Sequence, residues 1–189
     1  MTWRNTEELD GHGWQCGYCG KSVGGNCGYR EDERFDSDPS RIYICPRCEN
    51  PTAFIPDGYG GDVQVPPGRY GSDVRALPQL VEGLYSEIRR CVQYNAHTAA
   101  VLAMRKLLMH VAVEKGAEPG EAFAGYVDYL DSEGYIPPDG REWVDFIRKT
   151  GNEANHEIVL MSGGDAAELL DFTEMLLKFA YEFPSRMRR

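Results

Sequence analysis

The second half of the chain places apolar residues at the spacing of α-helices. Residues 78–93 have apolar side chains three and four positions apart, and residues 95–116 are apolar around most of the circumference. A helix that is apolar on all sides must be surrounded by others, so we expect 95–116 to be the central helix of a bundle, ended by Gly116. The side chains expected on the inner face of the first helix are Leu80, Leu84, Ile88 and Cys91.

Two further helices are predicted downstream of the central one. The third helix spans residues 119–133, and the fourth begins at Asp139, where Glu142 three residues later matches the capping-box pattern. The side chains expected on their inner faces are Phe123, Tyr126, Val127 and Leu130 in the third helix and Trp143, Phe146 and Ile147 in the fourth.

A fifth helix is predicted at the end of the chain, over residues 165–183. Ser162 and Asp165 form its starting signal, and it is expected to stop before Pro184, because proline cannot continue a helix. Its expected inner face consists of Leu169, Phe172, Leu176, Phe179 and Phe183.

The first part of the chain is rich in glycine and has no helical periodicity. Arg41–Ile44 alternates as a short strand that leads into a cysteine. Residues 56–71 contain five glycines and three prolines and are typical of a linker or extended arm. We therefore predict an α+β protein with a small domain at residues 1–57, a linker at 58–72 and a helical domain of about five helices at 73–189.

Four cysteines of the small domain form two Cys-x-x-Cys pairs. Cys16 and Cys19 make the first pair, and Cys45 and Cys48 make the second. Two residues between thiolates allow a tight turn to present both sulfurs to one ion, and two such turns complete a tetrahedron. The spacing predicts one Zn²⁺ bound by all four cysteines, and the segment resembles a zinc ribbon.

Two other uses of these pairs are open at the level of sequence. A pair of disulfides would need an oxidising compartment, which no other feature of the chain suggests. A Cys-x-x-Cys redox motif normally occurs once and opens a helix in an α/β unit. A site closed by four thiolates has no open coordination position, so the predicted zinc is structural and not catalytic.

Residues around the pairs add to this prediction. Gly17 and Gly20 allow the left-handed backbone expected in the first turn, and Pro46 stiffens the second. Cys27 is either a spare thiol or an alternative ligand. Cys91 is expected to act as a small apolar residue on the first helix.

The charge of the chain narrows the classes of partner. The formal net charge is −10, and neither half is basic, so a broad surface for nucleic acid is excluded. No apolar run is long enough to span a membrane, and the first residues lack the core of a signal peptide. These features predict a cytoplasmic protein that does not bind membranes.

Four polar residues interrupt the apolar pattern of the helical domain. Arg148, Asn152 and His156 are four positions apart and share one face of a continuous helix. Arg105 lies within the otherwise apolar second helix, where its charge needs a partner or a cavity. These residues either cap helix ends and pair with carboxylates, or form a site in which His156 is an acid–base group and an arginine stabilises a phosphate.

Residues 78–183 also resemble a known family. They are similar to a domain-of-unknown-function family that occurs behind zinc ribbons and in some restriction-enzyme subunits, and that resembles the HEPN superfamily. The matching segments are Leu77-Pro78, Tyr94-Asn95-Ala96 with Ala99–Leu102 and Arg105, Ile147-Arg148 through Gly151-Asn152 to His156, and Tyr181–Pro184.

The resemblance implies a helical, often dimeric domain and offers an enzymatic alternative. Ribonucleases of that superfamily need no metal and carry an arginine, about four to six residues and then a histidine, in paired sites at a dimer interface. Here seven residues separate Arg148 from His156, one too many, whereas Asn152 matches the polar residue that follows the arginine. The catalytic motif is therefore degraded.

Three functions follow from these observations. The first is a non-catalytic binding or assembly module of a bacterial nucleic-acid-related or phage-defence system, which forms a homodimer or binds a protein through the helical domain. The second is a metal-independent ribonuclease that uses Arg148 and His156, and the third is a purely structural interaction module. Nucleic acid would have to bind through a small cluster of the arginines near the ribbon or in the tail: Arg30, Arg34, Arg41 and Arg47, or Arg186, Arg188 and Arg189.

Overall fold

The chain forms two compact units, residues 1–70 and residues 71–189. The computed structural model describes residues 3–32, 38–136 and 160–187. An antiparallel sheet forms the first unit and helices form the second, which confirms the predicted α+β class.

The first unit is a five-stranded antiparallel sheet in which every strand pairs with its neighbour in sequence. The strand predicted at Arg41–Ile44 is confirmed. The strands are β1 (Glu7–Gln15), β2 (Ser22–Arg30), β3 (Arg41–Ile44), β4 (Pro51–Pro56) and β5 (Asp62–Val65).

The structure differs from the sequence prediction in the segment 58–72, which was expected to be a linker. This segment contains β5, which pairs with β4. The carboxylate of Asp57 accepts hydrogen bonds from the backbone N–H groups of Tyr59 and Gly61. The glycines therefore serve the turn of a β-hairpin, and the alternating sequence after them adds a strand to the sheet.

A bulge in β1 sets the inner face of the sheet. Leu9 and Trp14 are both buried, although residues five positions apart on a regular strand point to opposite faces. The register of β1 against β2 shifts between Glu8 and His12, and this irregularity brings both side chains to one face. Within the described residues, the buried cluster of this unit has only six members: Leu9, Trp14, Cys16, Tyr43, Cys45 and Phe54.

Aromatic rings fill most of that small core. The imidazole of His12 lies 4.3 Å from the ring centre of Phe54 and 5.1 Å from that of Tyr43. Trp14 contacts both of these aromatic residues as well. The core is therefore a single aromatic layer that lies next to the buried cysteines.

The second unit contains helices over most of its described length. Within the described residues, no helix is both long and apolar enough to cross a membrane. The helices are α1 (Gln79–Gln93), α2 (His97–Lys115), α3 (Phe123–Ser132), α4 (Gly163–Leu177), a π-helical turn (Lys178–Glu182) and α5 (Phe183–Met187).

The second helix is the central one, as predicted. It packs against α1, α3 and α4. It ends at Gly116, whose φ of 118° is in the left-handed region. The helix predicted to begin at Asp139 lies outside the described residues.

The third helix begins later than its apolar pattern predicts. The hydroxyl oxygen of Tyr126 accepts hydrogen bonds from the backbone N–H groups of Gly120 and Glu121 and holds residues 119–122 in a turn. The predicted inner face of α3 is confirmed, because the four residues expected there are all buried: Phe123, Tyr126, Val127 and Leu130.

The predicted inner face of α1 is wrong in part. Leu80 is 79% exposed, whereas Val81 and Tyr85 are buried. Ile88 is buried and Cys91 packs against the core, both as expected. The buried face of this helix also includes the polar residues Arg89 and Gln93. A prediction from apolar spacing alone therefore places the inner face one position away from the observed one.

The last helix starts as predicted and ends differently. Ser162 and Asp165 form a reciprocal capping box at its N-terminus. The π-helical turn shifts the inner face by one residue, so Ala180 is buried while Phe179 is 39% exposed. The helical path also continues through Pro184 rather than stopping before it, because this proline lies in the first turn of α5, where its missing N–H group is tolerated.

Gly28 of β2 provides a direct test of the sheet. A Cβ atom at this position would lie 1.8 Å from the carbonyl oxygen of Ile42 on β3. We expect Gly28→Ala to lower the free energy of unfolding of the first unit by about 1–3 kcal/mol, because the two strands must move apart. The measurement is urea denaturation of the full chain.

Gly24→Ala is the matched control. A Cβ atom there would lie 3.8 Å from the carbonyl oxygen of His12, an ordinary contact. We expect a change within about 0.5 kcal/mol. Equal losses in the two variants would contradict the strand pairing described here.

Candidate metal centre

The four paired cysteines meet at one end of the sheet. Cys16 and Cys19 lie in the loop between β1 and β2, and Cys45 and Cys48 lie in the loop between β3 and β4. Since the strands form a meander, both loops extend from the same end. Cys16 and Cys45 are fully buried, and the other two are partly buried.

The distances between the sulfur atoms fit a tetrahedral site. The four Sγ atoms all lie within 4.8 Å of one another. The Sγ atoms of Cys16 and Cys48 are 3.7 Å apart, and those of Cys19 and Cys45 are 3.9 Å apart. A zinc–sulfur bond of about 2.3 Å implies tetrahedral sulfur–sulfur edges of about 3.8 Å. The cluster can therefore hold a metal ion.

The two cysteine loops share one backbone hydrogen bond and one left-handed residue at equivalent positions. In the first, the N–H of Gly20 donates to the carbonyl of Cys16, and in the second the N–H of Glu49 donates to the carbonyl of Cys45. Gly20 has a φ of 68° and Glu49 a φ of 58°. Both loops therefore need a left-handed residue directly after the second cysteine, and only the first has glycine there.

Gly17 has a different role from the one predicted. A Cβ atom at this position would lie 2.4 Å from the carbonyl oxygen of Pro67. The glycine is required because the backbone that follows β5 passes against the first loop, and not because its own backbone is left-handed. The sequence shows the proline-rich segment but contains no signal for this close approach.

Trp3 supports the second loop and was not identified from sequence. Its Nε1 atom donates a hydrogen bond of 2.7 Å to the carbonyl oxygen of Glu49. Its ring also contacts Tyr29 edge to face, at 6.3 Å between ring centres. A tryptophan that lies so far from the loop in sequence has no spacing pattern that links it to the cysteines.

The burial and hydrogen bonds of the cysteine thiols favour a cation between the four sulfur atoms. Burial raises the pKa of Cys16 to about 12. Burial also raises the pKa of Cys48, but hydrogen bonds with Asn50 and neighbouring cysteines outweigh it and lower this pKa to about 7. Thiolates are the form that binds metal, and a divalent cation offsets the cost of burying their charge.

The remaining cysteines do not join this cluster. Cys27 is exposed on β2, where it pairs across the strands with Glu8. All six cysteines are free thiols, and the Sγ distances in the cluster are far longer than a disulfide bond of about 2.05 Å. The structure therefore supports the metal alternative over the two disulfides.

Only one member of the predicted polar site lies in the described part of the chain. Arg105 is 8% exposed, and its guanidinium carbon lies 4.5 Å from the ring centre of Phe123. Burial lowers the pKa of Arg105. Arg148, Asn152 and His156 lie outside the described residues, so their proximity to Arg105 stays a prediction.

Comparison with known proteins identifies the helical part of the chain. A family model described as Domain of unknown function (DUF4145) matches residues 86–189, which is more than half of the chain. No curated protein and no solved structure matches the chain. The matched segment begins within α1, so the four cysteines precede it.

Removal of one thiolate tests the metal centre. We expect the purified chain to contain one zinc ion and Cys45→Ser to lose it, because three thiolates and a hydroxyl bind zinc less well. Cys27→Ser is the matched control and should retain the metal. The measurement is elemental analysis after purification, together with the absorption spectrum of the cobalt-substituted chain. Full metal content in Cys45→Ser would contradict the four-cysteine site.

Proposed function

We propose that this chain, which belongs to the DUF4145 family, is a zinc-binding, non-catalytic module for binding or assembly in a bacterial nucleic-acid-related or phage-defence system. The observation that carries the proposal is the closed set of four sulfur atoms within 4.8 Å of one another. Four protein ligands leave no position for a substrate or for an activated water. The metal then holds the first unit together and takes no part in chemistry.

The donor set supports zinc as the ion. Four thiolates in tetrahedral geometry favour zinc or iron over the oxygen-preferring cations. Zinc has no redox chemistry and no geometric preference of its own, which suits a structural site. The first unit has a core of only six residues within its described part, so binding of the metal supplies stability that the core does not.

The helical unit is proposed to be a HEPN-like bundle that forms a homodimer or binds a protein partner. Apolar side chains are exposed at its C-terminal end, where Phe179 is 39% exposed and Met187 is 84% exposed. A groove of about 250 Å³ opens here and is lined by Met175, Phe179 and Phe183, together with charged residues. Exposed apolar residues around a groove are typical of protein–protein contacts.

The charge distribution supports assembly over direct binding of nucleic acid. The net charge of −10 becomes about −12 once four thiolates and one Zn²⁺ are included. Arg41 forms an ion pair of 2.7 Å with Asp62, and Arg30 lies 3.8 Å from Asp10. Two of the arginines considered for a phosphate contact therefore already have acidic partners.

The position of Arg105 also supports this choice over the ribonuclease alternative. Its guanidinium lies against an aromatic face and is almost completely buried. This cation–π contact gives the buried charge a partner inside the fold. The contact with Phe123 thus supports a packing role for Arg105.

The apolar end of the helical unit yields a test of assembly. We expect the wild-type chain to be a dimer, and we expect Phe179→Glu to weaken dimerisation at least about tenfold, because a charge replaces an apolar contact. Leu80→Glu, at a 79% exposed position of α1, is the matched control. The measurement is sedimentation velocity over a range of concentrations. A monomeric wild-type chain would refute the dimer.

A cleavage assay tests the enzymatic alternative. We expect the purified wild-type chain not to cut single-stranded RNA without added metal, because the arginine–histidine spacing departs from the ribonuclease pattern. Cleavage by the wild-type chain that disappears in His156→Ala would contradict the non-catalytic proposal. Cleavage that persists in His156→Ala would instead rule out His156 as the catalytic group.

A further inference from the structure

Five residues ahead of α1 form a segment without helix or strand on the surface of the helical unit. We name this segment, Gly71–Arg75, the strap. Three of the side chains that bind it, Arg89, Glu174 and Glu182, lie within the family match at residues 86–189, whereas the strap lies outside it. The strap thus lies outside the matched segment, as does the first part of α1, although it belongs to the same compact unit.

Arg89 makes the strongest contacts with the strap. Its Nη1 atom lies 2.7 Å from the Oδ1 atom of Asp73, and its Nη2 atom donates a 2.7 Å hydrogen bond to the carbonyl of Gly71. The arginine side chain is only 4% exposed, whereas that of Asp73 is 61% exposed. The buried partner therefore belongs to the helical domain, and the exposed one belongs to the strap.

Tyr85 and Glu174 bind the backbone of Ser72 from both sides. The N–H of Ser72 donates to Oε2 of Glu174 at 2.6 Å, and the hydroxyl of Tyr85 donates to the carbonyl of Ser72 at 3.0 Å. Lys178 forms an ion pair with Glu174. Burial raises the pKa of Glu174, but the hydrogen bonds from Lys178 and Ser72 outweigh it and lower the pKa. The carboxylate is thus kept charged as an acceptor.

Glu182, in the π-helical turn, binds the end of the strap. Its Oε2 atom accepts the N–H of Arg75 at 3.1 Å, and its other oxygen pairs with Arg186 at 2.5 Å. The hydrogen bond from Arg75 is the main reason that the pKa of Glu182 is lowered. The π-helical turn thus carries a buried carboxylate that binds the strap.

Most of these contacts reach main-chain atoms of the strap. Only Asp73 and Val74 contribute side chains, and Val74 is 9% exposed within the apolar core cluster. Main-chain hydrogen bonds combined with one charged and one apolar side-chain pocket are the usual design of sites that recognise extended peptides. Such a site recognises a short sequence motif, which here is an aspartate followed by an aliphatic residue.

We infer that Tyr85, Arg89, Glu174 and Glu182 form a peptide-recognition site that is occupied in this chain by its own strap. A partner protein binds there by presenting an extended segment with an aspartate followed by an aliphatic residue, which displaces the strap. The peptide site depends on the proposed assembly function in one respect only, which is that a partner protein exists. It is independent of zinc.

The contacts favour exchange of one segment for another. Ser72, Asp73 and Arg75 are exposed, so Val74 is the main buried side chain that the strap gives up, and the aliphatic residue of an incoming segment replaces it. Ala76, directly after it, has a φ of 60°, an unfavourable backbone for alanine that release of the strap relieves. In contrast, Arg89 is buried, so loss of the two acceptors that the strap supplies is costly. The site therefore favours replacement of the strap over vacancy.

A labelled peptide that copies residues 70–77 tests this inference on the full chain. Asp73→Ala weakens the resident strap and leaves the site intact. We expect this variant to bind the peptide about tenfold more tightly than the wild-type chain does, measured by fluorescence anisotropy. Addition of Glu174→Gln should reverse the gain, whereas Glu87→Gln, at an exposed position of α1, should not.

Two results would overturn the inference. One is a folded Asp73→Ala chain that binds the peptide no better than wild type, and the other is equal binding of a peptide whose aspartate is replaced by alanine. If Asp73→Ala does not fold, the wild-type chain provides the readout. Excess peptide should speed hydrogen exchange at the amides of Ser72 and Arg75, and unchanged exchange there would also refute displacement.

Discussion

The close approach of four sulfur atoms from two separate loops is the constraint on which the first unit depends. The loops are 25 residues apart in sequence, yet their Sγ atoms all lie within 4.8 Å. The meander brings the loops to one end of the sheet, and the aromatic core lies directly beside them. Because the described core has so few buried residues, burial alone gives this unit little stability, and a cation bound by the four cysteines would supply the rest.

The helical unit obtains its stability in a different way. Its described core surrounds α2 and has far more buried residues than that of the first unit, but it encloses charged groups that require partners. Arg105 lies over the ring of Phe123, and Arg89 reaches the strap at the surface. Buried charges of this kind are costly to leave unpaired, so they make the local arrangement specific. The same physical need that orders the strap also creates a site for another extended segment.

Local chemistry made much of the fold predictable from the sequence. The capping box at Ser162, the left-handed Gly116 and the strand before Cys45 each follow from interactions within a few residues. The cysteine pairs were also predictable from local sequence, because the spacing of metal ligands within each pair is a local property.

The features that were missed depend on residues far apart in the chain. The inner face of α1 includes Arg89, to which the strap supplies two acceptors. The spacing of apolar residues does not indicate the π-helical turn that exposes Phe179. Gly17 is needed only because Pro67 passes above it. Arg148, Asn152 and His156 stay predictions, since they lie outside the described residues.

The most direct test of the central claim is hydrogen exchange of the full chain with and without a strong metal chelator. Our account predicts that amides in β1–β5 lose protection when the metal is removed, whereas amides in α1–α4 keep theirs. Protection of the strands that persists in a chain shown to be metal-free would contradict the claim that a metal ion holds the first unit together.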